Sequence, residues 1–255
     1  MEKIKFEYSF NNQVANIILD DGKGNILDSI MMRELHEIFE ELSKNKKIKL
    51  ITFEGAGKHF SFGASVAEHR KEFAKVMLEG FCGLFYELIE MGIPILSKIS
   101  GQCLGGGMEL ALMSNFIFAD KSAKFGQPEI VLGVFAPPAS IILPLKIGNS
   151  KAEQLLISGN IISAEEAEKT GLIHEIYEDK EELNKASNAW IEKNILPKSA
   201  SSLRYAVKAA RIEFNEKIKN YLPKLENIFL KELMETFDAN EGIEAFMEKR
   251  TPIWE

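Results

Sequence analysis

The stretch that decides the fold is ISGQCLGGGMELALMSNFIFAD, residues 99–120. It continues an apolar run, Ile95–Ile99, that predicts a strand, and its three glycines come directly before a segment with the apolar character of a buried helix. The chain therefore passes here from a strand through a loop into a helix. A strand, a crossover helix and a second strand are the unit of sheets with packed helices, so the stretch predicts an α/β fold.

On the amino-terminal side, the pattern predicts a hairpin followed by alternating helices and strands. Two β-prone runs, Lys5–Phe10 and Val14–Leu19, flank Asn11-Asn12, a pair of residues that suits a tight turn. Asp28 is placed to cap the next helix, and Ile48–Phe53 has the character of a buried strand. An apolar stripe at helical spacing then predicts a second helix before the strand named above.

Beyond residue 150 the sequence becomes mostly helical. Ser163 and Glu166 form a capping box, and Leu172–Tyr177 is the last run with strand character. Residues 197–255 carry no strand signal, and apolar positions in their first part recur at helical spacing. We predict a core of residues 1–196 and a helical region of residues 197–255 that packs on a neighbour, in the same chain or in another subunit.

Composition restricts the class of protein before any motif is considered. The chain has 255 residues, of which 45% are hydrophobic and 27% charged, as is ordinary for a globular protein. Its formal net charge of −7 argues against a general binder of nucleic acid or membrane surfaces, because both favour a basic face. Only Cys82 and Cys103 occur, no run reaches about 18 apolar residues, and MEKIKFEYSF contains no apolar signal region. We therefore expect a soluble, cytoplasmic protein.

Several common chemistries lack their motifs in this sequence. His36, His59, His69 and His174 form no HExxH spacing and no cysteine belongs to a CxxC pair, so we predict no metal site. GAGKHF begins like a dinucleotide fingerprint but has Phe60 in place of the third glycine, and no GKS, GKT or GxSxG motif occurs. Hydride transfer, phosphoryl transfer and ordinary serine hydrolysis are therefore disfavoured.

Two glycine-containing segments are candidates for binding a negatively charged oxygen. Gly105, Gly106 and Gly107 stand directly before the apolar helix, and Gly63-Ala64 follows a strand in the same way. Glycine lets a backbone approach a ligand closely, and free N–H groups at a helix amino terminus attract an anion. Two such donors converging on one oxygen form an oxyanion hole, whereas the alternative is that both segments are only tight turns.

Two glutamates are candidates for acid–base chemistry. Glu109 falls in the first turn of the helix that the glycines open, where an acid can also simply complement the helix dipole. Glu129 lies in FGQPEIVLG, between apolar residues and directly after Pro128, a poor environment for a charge without a function. Two carboxylates in one pocket can share the acid and base steps on a single water molecule.

Four segments of the chain resemble the crotonase superfamily, the enoyl-CoA hydratase/isomerase group. They are FSFGASVAEH (60–69), ISGQCLGGGMELALMSNFIFAD (99–120), AKFGQPEIVLG (123–133) and EGIEAFMEKRTPIWE (241–255). Their order and spacing extend over nearly the whole chain. The resemblance implies a spiral of ββα units with a carboxyl-terminal helical region that forms trimers, usually paired into hexamers. It implies an acyl-CoA substrate and no cofactor beyond the coenzyme A that the substrate carries.

The resemblance also implies roles for individual residues. The thioester carbonyl oxygen would accept hydrogen bonds from the N–H groups of Ala64 and Gly106, which stabilise an enolate. Glu109 and Glu129 match the two catalytic glutamates of the hydratases, and the presence of both favours addition of water to a C=C bond. Lys58 matches a position near the coenzyme A phosphates. The further candidates for substrate contacts are Ser61, Phe62, Ser65, Gly105, Phe135 and Pro137.

Two departures from the common family pattern indicate a different acyl pocket. Ser65 stands where the common motif has Asp, and GVFAPPASIILPLKIG (133–148) replaces a glycine-rich GAGGTQRL-like stretch. The combination is similar to the cyclohexa-1,5-diene-1-carbonyl-CoA hydratases of anaerobic aromatic degradation, which form 6-hydroxycyclohex-1-ene-1-carbonyl-CoA. Phe62, Phe135 and Pro137 are then either walls for a flat alicyclic ring or simply core residues.

Other functions stay open on the sequence alone. The enzymatic alternatives are a straight-chain 2-enoyl-CoA hydratase and an enoyl-CoA isomerase. Some crotonase-fold proteins bind AU-rich RNA, and one basic helical segment here would be the candidate surface, although Glu213 and Glu216 interrupt it. A non-catalytic relative is disfavoured by the presence of both glutamates and both glycine segments. The basic residues of that segment are Arg204, Lys208, Arg211, Lys217 and Lys219.

Overall fold

A twisted sheet and a smaller sheet, both packed against helices, form the body of the molecule. The computed structural model describes all 255 residues. Strands β1 to β9 are Ile4–Ser9, Val14–Leu19, Leu50–Gly55, Ile95–Ile99, Gln102–Leu104, Phe116–Asp120, Lys124–Gly126, Ile161–Ser163 and Glu175–Tyr177. Helices α1 to α10 are Ser29–Lys44, Lys71–Met91, Gly106–Leu112, Pro137–Ile147, Asn149–Ser158, Ala164–Lys169, Lys180–Asn194, Ala200–Ala210, Ile212–Lys231 and Phe237–Glu248. Short 3-10 turns are Val66–His69, Pro128–Leu132 and Leu233–Glu235.

The topology brings the ends of neighbouring strands together. The large sheet has the order β1-β2-β3-β4-β6-β9, and all its pairs are parallel except β1 with β2. The small sheet has the order β5-β7-β8. The segment after β3 contains Gly63-Ala64, and the segment after β4 continues through β5 to the triple glycine. Because β3 and β4 are parallel neighbours, both glycine segments start from the same edge of the sheet.

The predicted amino-terminal half is confirmed with small shifts. β1 and β2 pair antiparallel from Ile4 with Leu19 to Ser9 with Val14, and Phe10, Asn11 and Asn12 take left-handed backbone angles in the turn. Asp28 caps α1 by accepting a hydrogen bond from the Met31 N–H. The predicted strand Ile48–Phe53 is displaced, because β3 begins at Leu50 and ends at Gly55.

Three short features of the structure are missing from the prediction. β5, β7 and β8 are only three residues each, too short for a period-two pattern to be recognised. Pro137 and Pro138 form the first turn of α4, where a missing N–H costs nothing. The last strand is shorter than predicted, since β9 covers only Glu175–Tyr177 of the run that begins at Leu172.

The carboxyl-terminal region is helical as predicted, and part of it packs on this same chain. Ile218, Leu222 and Phe229 of α9 are buried in the main hydrophobic core, as is Ile243 of α10. α8, in contrast, has no buried residue. The boundary at residue 197 and the role of this region in oligomers stay predictions.

Candidate active site

An apolar cavity of about 650 Å³ opens where the two glycine segments meet. Its walls come from both segments, from the turn Pro128–Leu132, from α2 and α4, and from α9 and α10. Most of its lining side chains are hydrophobic. The polar ones are Ser65, His69, Glu109 and Glu129. This composition is typical of a site that binds a largely apolar group and acts on it with a few polar atoms.

Two backbone N–H groups lie side by side at the base of the cavity. A Cβ atom built on Gly106 would lie 3.1 Å from the Ala64 nitrogen, so the two backbones are in contact. The Ala64 N–H has no backbone partner, and Gly106 is the first residue of α3, where N–H groups have no intrahelical acceptor. The two residues predicted to form an oxyanion hole are therefore adjacent, with free donors.

Ser61 holds the first glycine segment in place from beneath. Its hydroxyl donates to the Asn25 carbonyl oxygen at 2.6 Å and accepts from the Gly63 N–H at 3.0 Å. Ser61 is fully buried, and a Cβ atom on Gly107 would lie 2.5 Å from the Ser61 Cβ. Ser61 does not line the cavity. The structure therefore makes it a positioning residue for the oxyanion donors instead of the substrate contact that we predicted.

Glu109 is fixed by the start of α4. Only 3% of Glu109 is exposed, and its Oε1 accepts a hydrogen bond from the Ala139 N–H at 2.9 Å. Pro137 and Pro138 have no N–H, so Ala139 carries the first available donor of that helix. The double proline therefore presents a single backbone donor to the buried carboxyl group.

Glu129 is held by a glycine and a glutamine. A Cβ atom on Gly105 would lie 2.7 Å from Glu129 Oε1, so only glycine leaves room for this carboxylate. Gln127 is buried, and with its amide nitrogen turned toward Glu129 it donates to Oε2 at 3.0 Å and to Oε1 at 3.1 Å. The sequence analysis did not single out Gln127, although it lies two positions before Glu129 in the same motif.

Burial changes the charge state of the two carboxyl groups. It raises the pKa of Glu129 to about 7. Burial, together with the nearby charge of Glu129, raises the pKa of Glu109 well above its usual range, while the Ala139 N–H opposes this shift. Both carboxyl groups therefore hold a proton more tightly than an exposed glutamate does, and two such groups in one cavity can share the acid and base steps on one water molecule.

The other predicted contacts fall into two groups. Phe62, Ser65, Phe135 and Pro137 line the cavity, together with Gly105. Phe135 also packs edge-to-face on Phe229 of α9, with ring centroids 5.6 Å apart. Lys58 is exposed and does not line the cavity, so its contact with coenzyme A stays a prediction.

The basic segment is engaged inside the chain. Arg204 donates to the carbonyl oxygens of Met91 and Asn45, at 3.1 and 2.9 Å. Arg211 donates to those of Met113 and Ser114, at 2.6 and 2.7 Å. Lys217 pairs with Glu213, and Lys219 with Glu90. Four of the five basic residues of this segment therefore make contacts within the chain.

Three further features bear on the sequence expectations. No three His, Cys, Asp or Glu side chains are grouped so that they could hold a metal ion. None of the helices combines the length and apolar character needed to cross a bilayer. Cys82 and Cys103 are both buried and unpaired.

The chain is similar to known proteins over almost its full length. A family model described as enoyl-CoA hydratase/isomerase matches residues 9–255. The chain is 44% identical to the cyclohexa-1,5-dienecarbonyl-CoA hydratase of Thauera aromatica, over 91% of this chain and 89% of that protein. It is 32% identical to a probable enoyl-CoA hydratase of Rhizobium meliloti, over 89% of this chain and 88% of that protein. An enoyl-CoA hydratase structure from Bacillus halodurans matches with a TM-score of 0.87 and 22% identity, over 95% and 99% of the two chains, which shows the fold.

Proposed function

The chain belongs to the enoyl-CoA hydratase/isomerase family and is a hydro-lyase with the crotonase fold, and from this we propose a cyclic substrate for it. The substrate is cyclohexa-1,5-diene-1-carbonyl-CoA, and the product is 6-hydroxycyclohex-1-ene-1-carbonyl-CoA, in anaerobic benzoyl-CoA degradation. The observation that carries the hydratase chemistry is the position of Glu109 and Glu129 in one cavity with the free N–H groups of Ala64 and Gly106. The Thauera aromatica relative supports the choice of ring.

The oxyanion hole activates the thioester. Its carbonyl oxygen accepts from the N–H groups of Ala64 and Gly106, which lie next to each other. These donors are already oriented by Ser61 and by the start of α3, so they need no reorganisation as negative charge develops. The hydrogen bonds withdraw electrons from the conjugated system, so ring carbon 2, the β carbon, becomes electrophilic.

The two glutamates handle the water. Glu129, whose pKa burial raises to about 7, accepts a proton from the water molecule while the water oxygen bonds to ring carbon 2. The electron pair of the C1–C2 double bond moves into the thioester and is shared with carbon 5 through the second double bond. Glu109, whose pKa burial raises well above its usual range, is the proton source for carbon 5. A new C1–C6 double bond results, and renumbering places the hydroxyl on carbon 6.

Two enzymatic alternatives require different features. An isomerase moves one proton within the substrate and needs only one carboxyl group, whereas this cavity contains two. A straight-chain hydratase uses the same pair, and only the shape of the acyl pocket separates it from the cyclic enzyme. Phe62, Phe135 and Pro137 supply flat or rigid walls around the cavity, and these favour a ring.

The position of the incoming proton tests the mechanism. Hydration of the diene in D₂O should place one deuterium on the ring carbon opposite the hydroxyl-bearing carbon, and NMR of the product reports this position. Deuterium on the carbon that carries the thioester would contradict the proposed 1,4-addition.

Three properties of the protein are also part of this proposal. Lys58 contacts the coenzyme A phosphates, no metal or redox cofactor takes part, and the chain acts as a homotrimer or homohexamer in the cytoplasm. α8 has no buried residue, which makes its outer face available to a second subunit.

A further inference from the structure

The imidazole of His69 is the largest polar side chain of the cavity that has no part in the proposed mechanism. His69 lines the cavity at the end of the turn Val66–His69, on a different element from the two glutamates. This turn packs against α10, and Arg70 ties it there by donating to both carboxylate oxygens of Glu244, at 2.7 and 2.9 Å. The contact between Arg70 and Glu244 therefore holds the turn that carries His69, so the imidazole has a defined position in the acyl pocket.

Hydrogen bonding fixes the tautomer of His69. Its Nδ1 lies 2.8 Å from the Ser65 carbonyl oxygen. A carbonyl oxygen only accepts, so Nδ1 carries the proton, and the neutral ring has its lone pair on Nε2. Burial lowers the pKa of His69 below its ordinary value, against an opposing effect of Glu68, so the ring is neutral at pH 7.

The lone pair on Nε2 has no partner within the protein. Nε2 makes no hydrogen bond with another residue. It is also not one of the buried polar atoms that lack a partner. The hydrophobic residues Val66, Met77 and Phe81 line the same cavity as His69. A hydrocarbon acyl group packed on this wall would displace water from Nε2 and leave the acceptor unpaired, which is unfavourable.

We propose that His69 is a specificity-determining residue whose Nε2 accepts a hydrogen bond from a hydroxyl group on the acyl moiety. The cavity then favours a hydroxylated alicyclic acyl-CoA over a hydrocarbon of the same shape. This inference rests on the proposed function, because it takes the cavity to be the acyl pocket. The hydroxyl exists only after water has been added, so the contact forms on the product side of the reaction.

Two substitutions of His69 distinguish the contact made by Nδ1 from the contact proposed for Nε2. In His69→Asn, the side-chain amide can still donate to the Ser65 carbonyl oxygen but does not reach the position of Nε2. In His69→Gln, the longer amide places a polar atom near the position of Nε2. The asparagine variant therefore keeps the contact that supports the turn and loses the contact with the ligand, and its melting temperature reports whether the fold is intact.

The test compares two inhibitors. Initial-rate inhibition constants are measured for 6-hydroxycyclohex-1-ene-1-carbonyl-CoA and for cyclohexane-1-carbonyl-CoA, which has no hydroxyl. The wild type should bind the hydroxylated thioester about 10-fold more tightly or better. His69→Asn should reduce this ratio to near one, and His69→Gln should retain part of it. A wild-type ratio near one, or an unchanged ratio in His69→Asn, would overturn the proposal.

An error in the proposed substrate would be recognised separately from an error in the proposed role of His69. If the wild type does not hydrate the cyclic diene, the substrate assignment is wrong, and hydration of crotonyl-CoA becomes the reporter reaction for the same two inhibition constants. The His69 ratio is then still measured, so the two proposals stand or fall separately.

Discussion

The Glu129 carboxylate fills the space in which a side chain at Gly105 would begin. A Cβ atom on Gly105 would lie 2.7 Å from Glu129 Oε1, and Gly105 has a φ of +51°, a conformation that favours glycine. The next residue, Gly106, carries one of the two N–H groups that we propose as oxyanion donors. The same backbone turn therefore has two effects. It exposes an N–H to the carbonyl oxygen of the substrate, and it leaves room for the Glu129 carboxyl group.

Replacement of Gly105 by alanine should damage activity far more than stability. We expect Gly105→Ala to lower kcat by about 100-fold or more, because the methyl group displaces Glu129 and strains the turn. Steady-state kinetics and a melting curve measure the two effects. Gly80→Ala is the matched control, since a Cβ atom at Gly80 of α2 meets nothing within 4 Å. Activity of Gly105→Ala within a few-fold of wild type would contradict the account.

Removal of either carboxylate should stop the chemistry and spare binding. We expect Glu109→Gln and Glu129→Gln each to lower kcat by about 10²–10⁴-fold, the usual contribution of a positioned acid or base. The dissociation constant of a saturated acyl-CoA, measured by calorimetry, should change little. Glu153→Gln, at an exposed position of α5, is the control. Near-normal turnover in either active-site variant would show that the two-carboxylate mechanism is wrong.

Gln127 should set the acid limb of the pH–rate profile. Its amide donates to both oxygens of Glu129, which favours the ionised form of that carboxyl group. Loss of this donor in Gln127→Ala should raise the pKa of Glu129, so the rise of kcat/KM with pH should shift to higher pH. The exposed Gln154→Ala variant should keep the wild-type profile. A Gln127→Ala profile that coincides with the wild type, or moves to lower pH, would count against this role.

Burial of Glu129 should also make stability depend on pH. The folded-state pKa is raised from 4.5 to about 7, so the folded protein binds more protons than the unfolded chain between these values. Stability therefore falls as pH rises from about 4.5 to about 7. We expect Glu129→Gln to melt several degrees above wild type at pH 8 and to lose this advantage near pH 4.5. Equal melting temperatures at pH 8 would refute a raised pKa.

Local chemistry explains which parts of the fold were predictable. Asp28 and Ser163 act as helix caps through bonds to residues three positions away, so adjacent sequence contains all the information. β5, β7 and β8 form only because the chain brings distant segments together, and their own residues give no strand signal. The helix that begins at Pro137-Pro138 was not predicted, because prolines are equally suited to a turn and to the first turn of a helix.

The same distinction applies to the site. Glu109 and Glu129 were identifiable because a carboxylate among apolar residues is unusual in sequence. Ser61 was assigned to substrate contact, and only the tertiary structure shows its hydroxyl sealed between Asn25 and Gly63. The sequence did not indicate the proposed roles of Gln127 and His69. Neither residue type is unusual at its position, and each role depends on a group that is adjacent only in the folded structure.

A comparison of two substrates tests the central claim most directly. The purified protein is assayed in parallel with cyclohexa-1,5-diene-1-carbonyl-CoA and crotonyl-CoA, and kcat/KM is determined for each while mass spectrometry follows the gain of water. We predict hydration of the cyclic diene with little turnover of crotonyl-CoA. The reverse preference would contradict the cyclic substrate and identify a straight-chain enoyl-CoA hydratase that uses the same two glutamates.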